Sequence, residues 1–235
     1  MTTTVLLNHQ QHKEIKIITR KSAELGDAQM AAYTFVSEFR QIQAHYPILF
    51  QKDATNGQFF PVALLGLEPH SNLFLSSAGW EASYVPLSIE RLPFSIGQQH
   101  DQRVIHIDMS SPKVSHIEGE PLFSEFGEFT PYLERVGQSL ELLHQGVQEN
   151  AHFVTHLLEF SLLESLSLDI DLSNGETTQL TGFYTINEDK LNALSDQQLL
   201  TLQHEGHLAA IYFVLASHSQ LLTLIDRKNR QTQKA

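Results

Sequence analysis

The 235-residue sequence contains no cysteine. That absence excludes disulfides, thiolate nucleophiles, zinc–thiolate sites and iron–sulfur clusters, so a bound metal would need histidine and carboxylate ligands. Glycine-rich phosphate loops are also missing, because neither a Gly-x-Gly-x-x-Gly nor a Gly-Lys-Ser/Thr motif occurs. The nucleophile turn Gly-x-Ser-x-Gly is absent as well. The sequence therefore offers no signature of nucleotide-dependent chemistry or of nucleophilic hydrolysis.

Positive charge is scarce across the second half of the chain. The formal net charge is -12, and Lys190 is the only Lys or Arg in residues 136–226, where 12 Asp and Glu occur. Nucleic acid backbones require several neutralising cations, so we expect no nucleic-acid partner. The basic residues gather instead near the two ends of the chain, where they fit solvated termini.

Long apolar runs are missing too. The longest, residues 208–216, is shorter than the roughly 20 residues that a membrane-spanning helix needs, and we expect no membrane span. Residues 1–13 lack the basic start, the apolar core and the small-residue cleavage site of a signal peptide. A cytoplasmic location is therefore the expectation.

Short apolar runs separated by turn residues fill the first half of the chain. Residues 60–67 and 72–75 have the length of strands, and residues 103–109 alternate apolar with polar side chains. Asn56-Gly57 supplies turn chemistry before the first of these runs. This half is predicted to form an antiparallel sheet.

Helix signals dominate the second half. Thr130 and Pro131 predict the start of a helix, whose apolar stripe continues to Val147. A second helix is expected over residues 150–163. A last helix is predicted to begin near residue 207, and His218 on its apolar stripe is interpreted as a buried, hydrogen-bonded histidine.

A β-hairpin is the clearest local prediction. Apolar and polar residues alternate over residues 166–172, and Asn174-Gly175 follows as the turn. Ser195 and Gln198 then spell a capping box for a further helix. The sequence predicts an α+β fold in one domain over residues 1–235. Two lobes within it are an open alternative: a β-rich lobe over residues 14–110, and a helical lobe with the hairpin over residues 130–229.

The sharpest chemical candidate is the triplet His106-Ile107-Asp108. Positions i and i+2 of a strand point to the same side, so this imidazole and carboxylate could share a cation. A later histidine would complete the ligand set of an iron oxygenase, and the candidates are His152, His156, His204 and His207. The alternative, which we prefer, is that His106 and Asp108 form the polar side of a half-buried strand. No cofactor is then expected, and iron remains the alternative.

Aromatic residues concentrate between Phe59 and Phe94. Trp80 stands in a stretch rich in Gly and Ser, which is typical of an exposed loop, and large amphipathic rings dominate contact energy at interfaces. Part of this cluster is expected to form core, and for the cluster as a whole core packing is the preferred interpretation. The alternative is a binding site that comprises Trp80, Tyr84, Arg91 and Phe94.

Two segments resemble a known family. Residues 59–97 read FFPVALLGLEPHSNLFLSSAGWEASYVPLSIERLPFSIG, which includes a Pro-Val-Ala-Leu-Leu-Gly-Leu-Glu strand, a Tyr-Val-Pro turn and an Arg-x-Pro-Phe element. Residues 166–194 read LSLDIDLSNGETTQLTGFYTINEDKLNAL, and a predicted terminal helix follows. In these features the chain resembles the bacterial SapC family over residues 14–229.

The resemblance implies an accessory function. The family takes its name from bacterial surface-array proteins associated with serum resistance, and its members accompany outer-membrane receptors, flavin-dependent halogenases and cupin-like oxygenases. A role in nutrient capture or metabolite modification is therefore implied. The expected lack of a signal peptide departs from a surface-layer role unless a dedicated exporter is used. The expected lack of spans separates the chain from the like-named peptide-transport permease.

These observations together predict a non-catalytic binding protein. Its partner would be a protein, a peptide or a small molecule, and the sequence leaves its oligomeric state open. The alternative is an iron-dependent, oxygenase-like enzyme that uses His106 and Asp108.

Overall fold

The computed structural model describes residues 3–100 and 102–233. The chain divides into two compact units, each assembled from several stretches. The first unit comprises Met1–Ala28, Leu75–Glu81 and Leu87–Gln145. The second unit comprises Gln29–Phe74, Ala82–Pro86 and Gly146–Ala235.

The strands pair with antiparallel neighbours throughout the described chain. In chain order they are β1 (Thr4–Leu6), β2 (Lys16–Ile17), β3 (Ala31–Tyr33), β4 (Ile48–Lys52), β5 (Phe59–Leu64), β6 (Leu75–Ser76), β7 (Gly79–Trp80), β8 (Phe94–Gln99), β9 (Gln102–Asp108), β10 (Val114–Ser115), β11 (Glu120–Pro121), β12 (Leu163–Asp171) and β13 (Thr177–Ile186).

Most helical residues lie in the second half of the chain, and the combination confirms the predicted α+β class. The helices are α1 (His9–His12), α2 (Phe39–Ile42), α3 (Leu87–Glu90), α4 (Pro131–Glu159), α5 (Glu188–Asn192), α6 (Asp196–His204), α7 (His207–Ser217) and α8 (Gln220–Thr232). The described residues also form two short 3-10 turns, Ala23–Leu25 and Val36–Glu38.

A five-stranded sheet organises the second unit, in the order β12-β13-β4-β5-β3. Its central strands β4 and β5 are nearly continuous apolar runs, and Ile48, Leu49 and Phe50 are fully buried. β12 and β13 form the predicted hairpin, and Gly175 turns it with a φ of +85°, a value that glycine adopts without strain. The hairpin prediction is therefore confirmed.

The helix α4 runs unbroken over 29 residues, so the prediction of a separate second helix over residues 150–163 is wrong. Thr130 caps its start as predicted, since the Leu133 amide donates to Thr130 Oγ1 at 3.3 Å. Gly146 lies inside this helix, where its missing side chain leaves room for the Phe35 ring, which a Cβ would approach to 2.3 Å. Asn150 is buried inside the helix rather than at its start.

Two three-stranded sheets and a two-stranded hairpin belong to the first unit. The larger sheets have the orders β1-β9-β8 and β10-β2-β11, and β6 pairs with β7. The buried residues Ile17, Phe94 and Ile107 lie on these strands, and Leu133 reaches the core of this unit from α4. Within this core, Lys113 Nζ lies 2.8 Å from Asp27 Oδ2, and both side chains are almost fully buried.

The last two helices follow one another almost directly. Among the described residues, one helical segment, His207–Thr232, is long and apolar enough to cross a membrane, since an 18-residue window within it has a mean hydropathy of 1.7. Length and composition are weak evidence for a span, since core helices of soluble proteins satisfy both criteria. Here α7 packs against β4 and β13, and the Ile48 amide donates to Ser217 Oγ at 2.8 Å. The absence of a membrane span stays a prediction.

Candidate functional site

A cavity of about 310 Å³ opens within the first unit. Its lining includes Glu90, Arg91, Glu120, Tyr132, Arg135 and Ser139, and we call it the Arg91 pocket. Two guanidinium groups and two carboxylates therefore line one small cavity. Of the four residues in the binding-site hypothesis, Arg91 is the one that lines it.

Three separate elements supply the charged wall of the Arg91 pocket. Glu90 is the last residue of α3 and Arg91 follows it, whereas Glu120 lies on β11. Tyr132, Arg135 and Ser139 come from α4, where spacings of three and four residues place side chains on one face of a helix. The secondary structure thus brings Glu90 and Ser139, which are 49 positions apart in sequence, to one cavity.

Arg91 is held by a turn that it closes with its own side chain. The Phe94 amide donates to the Arg91 carbonyl at 2.8 Å, and Arg91 Nη1 donates to the Phe94 carbonyl at 2.5 Å. Burial lowers the pKa of the Arg91 guanidinium, yet an arginine retains its charge in proteins. The Arg-x-Pro-Phe element therefore fixes a partly buried cation at the edge of the pocket.

Aromatic packing connects Tyr132 of the pocket wall to the core of the first unit. Phe94 is fully buried, and its ring centroid lies 6.3 Å from that of Tyr132. Burial raises the pKa of the Tyr132 hydroxyl, and the carboxylates of Glu90 and Glu120 raise it further. Tyr132 consequently keeps its proton and can donate a hydrogen bond into the cavity.

The charges in the pocket are not all matched by partners of this chain. Glu90 forms an ion pair with Lys21 at 3.0 Å. Within the described residues, the side chains of Glu120 and Arg135 form neither a hydrogen bond nor an ion pair. Both side chains are exposed and remain available to a ligand.

Tyr84 lies in the second unit, where its hydroxyl donates to Glu38 Oε1 at 2.7 Å. Burial raises the pKa of Tyr84, and the Glu38 carboxylate adds to that shift. Glu38 itself is buried and also accepts from Thr34 Oγ1 at 3.2 Å. Tyr84 is thus part of a buried polar network of the second unit.

Trp80 lies in the first unit at the end of the short β6–β7 hairpin, opposite Leu75. Its side chain is half-buried. A half-buried indole retains an accessible ring edge, so its role as an anchor for a partner stays a prediction.

The metal candidates His106 and Asp108 lie on the last positions of β9 and are both half-buried. The His106 ring covers Gly97 of the neighbouring strand, where a Cβ would come within 2.5 Å of it. Asp108 accepts from Ser110 Oγ at 2.6 Å, and hydrogen bonds from Ser110 lower the pKa of its carboxyl group. His106 therefore packs on Gly97, and Asp108 is hydrogen-bonded to Ser110.

The four later histidines belong to the second unit. Nδ1 of His156 and Nδ1 of His207 lie 3.0 Å apart, so one ring donates to the other, whereas His152 and His204 are exposed. Across residues 3–100 and 102–233, no group of three or more His, Asp or Glu side chains lies close enough together to hold a metal ion.

A second cavity, of about 370 Å³, lies within the second unit. Polar side chains in its lining already form hydrogen bonds with the backbone. Asp53 accepts from the amides of Thr55 and Asn56, which lowers the pKa of its carboxyl group. The Asn150 amide is likewise occupied by the backbone of Thr34. This cavity therefore presents fewer uncommitted charges than the Arg91 pocket.

The binding-site hypothesis from the sequence did not include Glu120, Tyr132 and Arg135, which line the Arg91 pocket. One signal was present in the sequence, because Tyr132, Arg135 and Ser139 form a polar stripe at helical spacing just after the Thr130 cap. Nothing local to Glu120 or Arg91 indicates that they join this stripe.

The antiparallel sheets, the late helices and the charged cavity define an α+β protein with a polar pocket. The SapC family model matches residues 7–224 of the 235-residue chain, and the chain belongs to the SapC family. This match confirms the family predicted from residues 59–97 and 166–194. No curated protein and no solved structure matches the chain.

Proposed function

We propose that this SapC-family protein is a non-catalytic binding protein whose ligand lies in the Arg91 pocket. The observation that carries the proposal is the pair of opposite charges, Arg135 and Glu120, which line one cavity and have no side-chain partner in the described chain. Charged groups that stay unmatched at the wall of a cavity are typical of sites that receive a ligand of complementary charge.

The ligand that fits this wall is a small zwitterion, such as an amino acid or a short peptide. A guanidinium group presents paired N–H donors that match a carboxylate, so Arg135 and Arg91 would hold the acid end. Glu120 would accept from the ammonium end, and the Tyr132 hydroxyl would donate to the ligand. A volume of about 310 Å³ is at the small end of known ligand pockets.

The groups at the pocket support binding rather than catalysis. Among the described residues its lining contains no histidine, and burial keeps Tyr132 protonated, so neither an imidazole nor a phenolate is present on the wall to accept a proton. We place the protein in the cytoplasm, as an accessory to nutrient capture or metabolite modification. Trp80 would contact the protein, peptide or small-molecule partner of this chain.

Isothermal titration calorimetry tests the proposal. The ligands are the common amino acids and a series of dipeptides, each paired with its N-acetyl amide, which lacks both charges. We expect at least one zwitterion to bind, and its uncharged analogue to bind at least tenfold more weakly. Removing either charge, by Arg135→Gln or Glu120→Gln, should weaken that zwitterion by about tenfold, which corresponds to roughly 1.4 kcal/mol.

The matched control is Arg103→Gln, which removes an exposed arginine of the same unit that pairs with Glu141 away from the pocket lining. It should leave the affinity unchanged. If no zwitterion binds, or if the pocket variants bind as tightly as the control, the proposed site is wrong.

A further inference from the structure

The loop of residues 122–130 carries the most exposed aromatic side chain of the described chain. Phe126 is 90% exposed, whereas most of the chain's other phenylalanines are buried or half-buried. Leaving a large apolar ring in water is unfavourable, and an exposed ring on a rigid loop buries that surface when it binds a partner.

The apex of this loop is a hydrogen-bonded turn. The Gly127 amide donates to the Ser124 carbonyl at 3.0 Å, and the Ser124 amide donates to the Glu128 carbonyl at 2.8 Å. The Glu128 amide also donates to Ser124 Oγ at 3.2 Å. Gly127 has a φ of +85°, which glycine adopts without strain, so Phe126 sits on a backbone of defined shape.

The base of the loop is anchored in the first unit. Phe123 and Phe129 pair across it as an isolated antiparallel bridge, with ring centroids 5.8 Å apart. Leu122 and Phe123 are buried, and the Thr130 amide donates to the Leu122 carbonyl at 3.1 Å. A ring that is presented by such a preorganised loop loses little freedom when it binds.

The charged residues nearest to Phe126 in the sequence are acidic. Glu125 and Glu128 flank it in the turn and are exposed. Residues 114–134 contain five glutamates and neither a lysine nor an arginine. An apolar tip with an acidic rim complements an apolar pocket with a basic rim, and the same charge disfavours contact with anionic lipids.

We propose that Phe126 is the anchor with which this protein docks onto a second protein that presents an apolar pocket rimmed by lysine or arginine. Aromatic side chains at the centre of an interface contribute most of its binding energy, and flanking charges set its orientation and association rate. This inference does not depend on a ligand in the Arg91 pocket. The two also have separate tests, because Phe126 does not line that cavity.

Site-specific photo-crosslinking identifies the partner. A photoreactive benzoyl-phenylalanine replaces Phe126 in the full chain, in cells that produce the protein, and a second chain carries it in place of Leu222. Leu222 is 71% exposed and lies in the second unit, so it controls for the reactivity of any exposed apolar position. We expect a protein adduct that forms from position 126 and not from position 222.

The captured protein is then purified, and its affinity for the intact chain is measured by calorimetry. Phe126→Ser should weaken binding by at least tenfold, and Glu125→Gln with Glu128→Gln should weaken it severalfold and reduce its dependence on salt. Leu222→Ser should have no effect. Circular dichroism checks that each variant is folded, which is expected because the substituted side chains are exposed.

Four outcomes would overturn the proposal. The first is the lack of an adduct specific to position 126, and the second is a purified partner that binds Phe126→Ser as tightly as the intact chain. The third is a homodimer, detected by sedimentation, that Phe126→Ser dissociates, because the occupant would then be a second copy. The fourth is flotation with phosphatidylglycerol vesicles that Phe126→Ser abolishes, because the occupant would then be a membrane.

Discussion

Arg91 and Phe94 close a turn on each other through two hydrogen bonds that run in opposite directions. The Phe94 amide donates to the Arg91 carbonyl, and the Arg91 guanidinium donates to the Phe94 carbonyl. Phe94 is fully buried against Tyr132, so this turn connects the core of the first unit to the wall of the pocket. The binding-site hypothesis included both residues. In the structure the Phe94 backbone holds Arg91 in place, and Arg91 lines the cavity.

Replacing Arg91 by lysine should therefore damage both stability and binding. A lysine keeps the charge, but it lacks the planar guanidinium fork. That fork allows Arg91 to donate to the Phe94 carbonyl and to present further N–H groups to a ligand at the same time. We expect Arg91→Lys to lower the free energy of unfolding by about 2 kcal/mol and ligand affinity by about tenfold. Urea unfolding and calorimetry measure the two effects. The exposed Arg103→Lys is the control, and equal effects in both variants would contradict this role of the turn.

The buried pair of Asp27 and Lys113 should be strongly coupled. Its side chains are 0% and 1% exposed, and burial lowers the pKa of the Lys113 ammonium while Asp27 opposes that shift. Lys113→Met leaves a buried carboxylate without this cation, so we expect the free energy of unfolding to fall by about 3–5 kcal/mol. The double variant Asp27→Leu with Lys113→Met should recover at least half of that loss.

Arg20 and Glu118 provide a matched control for the buried pair. Their ion pair has a distance of 3.0 Å, but its side chains are 60% and 61% exposed. Arg20→Met should change the free energy of unfolding by less than about 1 kcal/mol. A loss as large as that of Lys113→Met would show that burial does not set the strength of the interior pair.

Stability should fall on acidification because of His218. Burial lowers the pKa of this histidine below its ordinary value of 6.5, and Thr185 Oγ1 lies 2.8 Å from its Nε2. The unfolded chain therefore takes up the proton at a higher pH than the folded protein does. The stabilising contribution is complete above pH 6.5 and is lost as the pH falls through 6.5 toward the folded pKa.

Urea unfolding at several pH values between about 7.5 and 5.5 measures this effect. His218→Gln should flatten the pH dependence without abolishing it, because burial lowers the pKa of His207 in the same way. The control is His204→Gln, which replaces an exposed histidine of the same unit. An unchanged slope in His218→Gln would contradict the assignment.

Iron should not be retained in stoichiometric amounts. His106 and Asp108 lie on β9, but no third side chain joins them in a ligand group within the described residues. Elemental analysis of protein loaded with Fe²⁺ and then desalted should give far less than one iron per chain, before and after Asp108→Ala. One iron per chain that Asp108→Ala removes would instead support the oxygenase alternative.

Local sequence signals predicted the elements that depend on neighbouring residues. The Asn174-Gly175 hairpin, the Thr130 cap and the capping box of Ser195 formed as predicted, because each is stabilised by bonds within a few residues. The continuity of α4 was not predictable in this way. Asn150 lies there because its side chain bonds the Val36 amide, 114 residues away in sequence.

The candidate site was only partly predictable for the same reason. Arg91 was identified from its motif, but Glu120 and Arg135 reach the cavity from other elements, and no local pattern connects them. Lysine is a residue type that is mostly exposed, but Lys113 is buried beside Asp27, 86 residues earlier, whose carboxylate pairs with it. Long-range electrostatic partners of this kind leave no periodic signal in a sequence.

A crystal structure with the tightest ligand from calorimetry decides whether the Arg91 pocket binds a small zwitterion. We expect density in this cavity, with the ligand's carboxylate against the guanidinium of Arg135 or Arg91 and its ammonium group against Glu120. A ligand bound elsewhere on the protein, or bound in this cavity with its charged ends away from those side chains, would show that these side chains do not form the binding site.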